Sequence, residues 1–156
     1  MYHAVKTTAR VLAMFCTFFI VADSTAFEAL ITNERSGDII HVDENGETIE
    51  VVPVCQRPRG MIRGIAENIL FIACSDDHKV VVYDRQTRKV IREIGPAIGA
   101  MNLTLHKTTD RLLVTNEGEA KASVFNVLNG NLIAELPTGL EPDGIAITDD
   151  GQYIFV

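Results

Sequence analysis

Pro137-Thr138-Gly139-Leu140-Glu141-Pro142-Asp143-Gly144-Ile145-Ala146-Ile147 runs into Thr148-Asp149-Asp150-Gly151-Gln152-Tyr153-Ile154-Phe155-Val156, and the landmarks of this stretch stand in the same order earlier in the chain. Pro142 follows Pro58 by 84 residues, Gly144 follows Gly60 by 84, and Val156 follows Val114 by 42. The step is therefore 42, with Ala100 and Asn102 in the Pro and Gly places of the middle copy. Ile31-Thr32-Asn33, Ile72-Ala73-Cys74 and Val114-Thr115-Asn116 align, as do Val42-Asp43, Tyr83-Asp84 and Phe125-Asn126.

Each copy reads as short runs rich in Val and Ile, such as Ile69 to Cys74, Lys79 to Asp84 and Val90 to Ile94, with no helical period. Asn45-Gly46, Asn129-Gly130 and Asp150-Gly151 supply the positive φ that tight antiparallel turns need. Asp43, Asp84 and Asn126 stand where a side-chain oxygen can bond forward to turn amides. A period near 42 with four short strands per copy is the pattern of propeller blades. The expected fold is all-β: a β-propeller of four-stranded antiparallel blades. The chain would hold an N-terminal fragment of under three full blades plus a partial strand pair, against about four to eight blades in a closed ring. The first copy starts at its second strand, Ala29 to Asn33, so its inner strand would come from the far end of a longer protein and latch the ring.

The chain has 156 residues, 47% apolar and 22% charged, which suits a packed domain rather than disorder. A net charge of -7 and a pI of about 5.0 repel phosphate backbones, so nucleic acid is not an expected partner. Lys6 and Arg10 precede the apolar run Val11 to Ala22, and Ser24-Thr25-Ala26 offers small residues to a signal peptidase. Residues 1–26 are thus expected to be a secretory signal and 27–156 the propeller portion, in the periplasm or secreted. The run is shorter than the ~20 residues that span a bilayer, so no membrane span is expected after cleavage.

Ile31-Thr32-Asn33, Val114-Thr115-Asn116 and Glu141-Pro142-Asp143-Gly144-Ile145-Ala146 resemble the YVTN-type β-propeller repeat over about Ala29 to Val156. Gln56-Arg57-Pro58-Arg59-Gly60, Cys74-Ser75-Asp76-Asp77, Thr87-Arg88-Lys89-Val90-Ile91-Arg92 and Leu105-His106 are similar to one branch of it. That branch comprises the periplasmic β-propeller proteins associated with pyrroloquinoline-quinone-dependent catabolism of alcohols. The chain departs from it at Cys55, where a Gly is usual, and at Lys107-Thr108-Thr109, in place of a Pro-containing turn. The resemblance implies a non-catalytic exported platform in a quinoprotein alcohol-oxidation system, with a quinoprotein dehydrogenase or its cytochrome as partner. The alternatives are a propeller-type lactonase-like hydrolase and a cell-surface adhesive propeller.

His41, His78 and His106 show no short zinc-type spacing and read as structural or surface residues. There is no Cys-x-x-Cys-His, no Gly-rich phosphate loop and no Gly-x-Ser-x-Gly, so no cofactor and no catalytic residue is expected. The loops entering the inner strands should share a rim with those joining second and third strands. Arg57, Arg59, Glu141 and Asp143 would then face Asn33, Glu34, Asn116 and Glu117. Such a rim reads either as an anion or partner-docking site, since Arg forks grip carboxylates bidentately, or as pairs that stitch adjacent blades. Arg85, Arg88, Lys89 and Arg92 gather on the opposite rim and read as a solvated turn or as a patch for an acidic protein. Cys55 and Cys74 should meet at one rim when the first two strands of their blade pair. They would be either a disulfide, as an oxidising compartment permits, or two separate thiols.

Overall fold

The computed structural model describes residues 28–156, and the expected signal segment lies outside them. Strands β1 (Ala29–Asn33), β2 (Asp38–Val42) and β3 (Thr48–Pro53) form the first antiparallel sheet. Strands β4 (Pro58–Arg63), β5 (Ile69–Cys74), β6 (Lys79–Asp84) and β7 (Lys89–Ile94) form the second. The third comprises β8 (Ala100–His106), β9 (Arg111–Asn116), β10 (Lys121–Asn126) and β11 (Leu132–Pro137). The pair β12 (Ala146–Ile147) and β13 (Ile154–Phe155) opens a further sheet. Each sheet is an up-and-down meander in chain order, which is the blade that the repeat predicts. Among the described residues no helix is long and apolar enough to cross a membrane.

Two sets of turns explain why the strands stop where they do. Asp43 Oδ1 accepts from the amides of Asn45 and Glu47, Asp84 Oδ1 from Gln86, and Asn126 Oδ1 from Leu128 and Asn129. These Asx turns satisfy amides that the hairpin leaves unpaired. On the other rim the turns before β2, β6 and β10 close on Gly37 (φ 76), His78 (φ 55) and Ala120 (φ 53). The backbone conformation is common to the three blades, and glycine, which adopts it without a Cβ clash, occupies it only once.

The strand pleat sends alternate residues to opposite faces, so each side of the second blade packs on a different neighbour. Phe71, Ala73, Val80, Val82 and Ile94 join Leu103, Leu112, Val114, Phe125 and Val127 of the third blade in one core. Leu70, Ile72, Cys74, Val81 and Tyr83 pack on Ile39 of the first. A side chain the size of Phe71, 2% exposed, contributes about 1.5–3 kcal/mol by this burial. The inner strands β4 and β8 slip register at matching places, between Pro58 and Met61 and between Ala100 and Leu103. The bulges bend both strands in the same way as they enter the blade.

Candidate functional site

The upper rim between the first and second blades carries an open groove of about 750 Å³. Its walls are the β1–β2 turn (Glu34 to Gly37), the linker Pro53 to Arg57, and Asp76 and Asp77 of the β5–β6 turn. Glu34 is the hub: its Oε1 accepts from Arg57 Nε at 2.7 Å and its Oε2 accepts from Arg59. The hydrogen bond from Arg57, helped by the charges of Arg59 and Arg57, holds the Glu34 carboxyl below its ordinary range. Asp76 stands 3.6 Å from Arg57, and Asp77 Oδ2 accepts from the Gln56 amide at 3.0 Å. Arg35 also lines the groove and makes no ion pair among the described residues.

Cys55 and Cys74 are joined by a disulfide with Cα atoms 6.0 Å apart, which ties the groove wall to the end of β5. Ser75 N donates to Arg57 O at 3.0 Å just beyond the bridge. Together they fix the two residues before β4. Arg57 itself lies at φ 54; the residues one repeat further on are Gly99 at φ 67 and Glu141 at φ 52. A Cβ on Gly99 would lie 2.7 Å from Gly118 N, so that copy has room for glycine alone. The other two copies accept the strain and keep a long charged side chain over the rim.

Arg57, Arg59, Asn33, Asn116, Glu141 and Asp143, all expected on the rim, divide between two blade junctions. Arg57 and Arg59 meet Glu34 at the first, where Thr32 Oγ1 donates to Arg59 O at 2.9 Å. The same bond recurs at the third junction, where Thr115 Oγ1 donates to Asp143 O at 2.8 Å, and Glu141 stays exposed beside it. At the second, Ala73 stands in the Thr place and has no hydroxyl to give. The asparagines turn away from the groove. Asn33 Nδ2 donates to Asp38 Oδ1 at 2.9 Å, and the fully buried Asn116 donates to Ser123 Oγ at 2.8 Å. Asn116 is therefore interior rather than a rim contact, because β9 buries its last five residues against neighbouring strands.

Sequence reading missed a polar relay inside the first junction. His41, 0% exposed, lies with Nδ1 2.7 Å from Glu28 Oε1 and Nε2 2.8 Å from Tyr83 Oη. A carboxylate only accepts, so Nδ1 donates to Glu28, and in the neutral ring Nε2 accepts from the Tyr83 hydroxyl. Burial pushes the Tyr83 phenol up to about 12. The repeat places Val82 and Val124 where His41 stands, and that substitution within the period was the available signal. His106 Nε2 likewise lies 3.1 Å from Asp149 O, and His78 Nδ1 lies 2.9 Å from Ser75 O. His41, His78 and His106 thus each hold neighbouring backbone or side chains. Among the described residues no group of three or more His, Cys, Asp or Glu is placed to hold a metal ion.

No family model matches the chain, and no curated protein matches it. Solved structures do. Hydrazine synthase of Kuenenia stuttgartiensis superposes with a TM-score of 0.72 at 17% identity, over 81% of this chain and 37% of that one. A protein of Bacteroides uniformis described as a candidate 6-phosphogluconolactonase superposes with a TM-score of 0.66 at 20% identity, over 81% of this chain and 43% of that one. Both are propeller-type folds. The chain is a partial β-propeller. It spans less than half the length of either solved protein, and at these identities the likeness establishes the fold alone.

Proposed function

We propose that this chain is part of an exported, non-catalytic propeller of the YVTN type, whose upper rim docks a partner in a quinoprotein alcohol-oxidation system. The partner would be a quinoprotein dehydrogenase or its cytochrome. The observation that carries the reading is Arg57 in left-handed backbone beside the groove, at a position that its equivalent Gly99 fills without strain. An exposed ion pair with Glu34 contributes little, so stitching the blades is a poor reason to keep an arginine there. Left-handed backbone kept by a long charged side chain beside a groove fits a side chain retained for recognition. Gln56 and Arg57, which begin the segment whose sequence resembles the quinone-associated branch, belong to that wall. Guanidinium forks at Arg57, Arg59 and Arg35 suit carboxylates on a partner's surface.

Surface plasmon resonance with the purified dehydrogenase and its cytochrome tests this. Arg57→Gly relieves the backbone strain and removes only the side chain, so it should leave the thermal transition intact while weakening the complex about tenfold or more, the loss expected of an interface hot spot. Unchanged binding by the folded variant refutes the assignment.

A further inference from the structure

The opposite rim holds a second groove, of about 340 Å³, in the cleft between the second and third blades. Ile65, Ile69, Phe71, Ile91, Val127 and Leu128 line it, and Arg92 stands among them. Ile65 (48%), Ile91 (55%) and Leu128 (68%) are large apolar side chains left exposed around one opening. Single exposed hydrophobics are ordinary, whereas several converging on a concavity mark a site.

Arg92 gives the groove its polarity. Its guanidinium donates to Leu128 O at 2.9 Å and to Val127 O, which fixes it against the groove wall. These bonds use two of its five N–H groups, leaving donors for a ligand. Arg57, Arg59, Arg88, Lys79 and Lys121 all face carboxylates within 4 Å, but Arg92 pairs with none among the described residues. The equivalent positions in the other blades are Glu50, which is bound by Arg88, and Ala134. Among the described residues, only this cleft combines an apolar floor with a half-buried, immobilised cation that lacks a counter-charge. A charge so placed favours an anion, because a partly desolvated guanidinium gains more from a carboxylate than from carbonyl groups.

We infer that this groove binds an alkyl carboxylate, with its chain along Ile65, Phe71 and Leu128 and its head group on Arg92. The size of the cleft suits one small ligand better than a protein surface, and the fixed fork suits a planar carboxylate better than a hydroxyl. The site is independent of the upper-rim reading, since it shares no residue with that groove.

Calorimetric titration of the full chain with butanoate, hexanoate, octanoate and octanol tests it. Octanoate should bind saturably at one site, each methylene removed should weaken binding about fourfold, and octanol should bind at least about tenfold more weakly. Leu128→Glu should weaken octanoate by a larger factor than octanol, because the lost apolar contact falls on both ligands and the repulsion on the carboxylate alone. Arg92→Met should abolish the preference for octanoate over octanol, a readout that survives any change in total affinity. Absence of saturable octanoate binding, equal affinity for octanol, or indifference to Leu128→Glu would each overturn the inference.

Discussion

Replacing His41 and Tyr83, singly and together, by the residues that the third blade carries in their places tests the packing of the first junction. The repeat supplies the substitutions: Val124 stands for His41 and Phe125 for Tyr83. Tyr83→Phe removes the donor to His41 Nε2 and leaves a fully buried acceptor unsatisfied, which costs about 1–3 kcal/mol. His41→Val strands the Tyr83 hydroxyl in the same way and also opens space, so it should cost at least as much. Glu28 loses less than either, because its side chain is 24% exposed and Arg88 lies 3.9 Å away. The double variant removes both polar partners and restores the apolar pattern of the neighbouring junction. Its loss should fall short of the summed single losses by about 1 kcal/mol or more. Urea unfolding followed by far-ultraviolet circular dichroism, at dilution checked by sedimentation, measures the three midpoints at constant m. Losses that add within about 0.5 kcal/mol would mean that the two rings do not act as a unit, and would refute the relay.

Four further outcomes follow from the same geometry. Opening the Cys55–Cys74 bridge, by Cys55→Ala with Cys74→Ala, releases a loop of 19 residues and should cost roughly 3 kcal/mol on the chain-entropy model. Denaturation of the oxidised and double-alanine proteins compares them directly, and an unchanged midpoint would contradict it. Ala120 sits at φ 53, so Ala120→Gly should relieve left-handed strain and raise stability by up to about 1 kcal/mol, whereas a lower midpoint would contradict the shared turn geometry. The carboxyl of Glu34 is held down by Arg57, so its contribution is present above the ordinary glutamate pKa of about 4.3 and is lost as pH falls through the depressed folded value. Glu34→Gln should flatten stability against pH only at that acid end, and a difference confined to neutral pH would refute the sign. Finally, if residues 1–26 direct export, protein recovered from a bacterial periplasm should begin at or near Phe27 by amino-terminal sequencing, and an intact Met1 would exclude that route.

The blades were legible because their signals are local. Asp43, Asp84 and Asn126 announce turns by the side-chain bonds they make two to four residues away, and the strands between them are short runs rich in Val and Ile. The meeting of Arg57 and Arg59 with Glu34 was legible too, since one rim collects the two kinds of loop in every blade. The burial of Asn116 was not, because the motif gives a residue's place along the strand but not which side of the pleat faces the groove. The relay and the lower cleft escaped for a different reason. His41 and Tyr83 lie 42 residues apart, and Arg92 reaches carbonyls 35 and 36 residues away. Contacts at about one repeat length are blade-to-blade contacts, and seeing them requires comparing equivalent positions between copies rather than reading along one.

The proposed docking role is tested most directly inside a bacterium growing on an alcohol, with a photo-crosslinking amino acid at Gln56 on the upper rim or at Lys89 on the lower one. Both residues are exposed, so neither replacement disturbs the core. The account predicts that Gln56 crosslinks to a quinoprotein dehydrogenase or its cytochrome, identified by mass spectrometry, and that Lys89 does not. Crosslinks to those proteins from Lys89 alone, or from neither position while the protein is present in the periplasm, would contradict it.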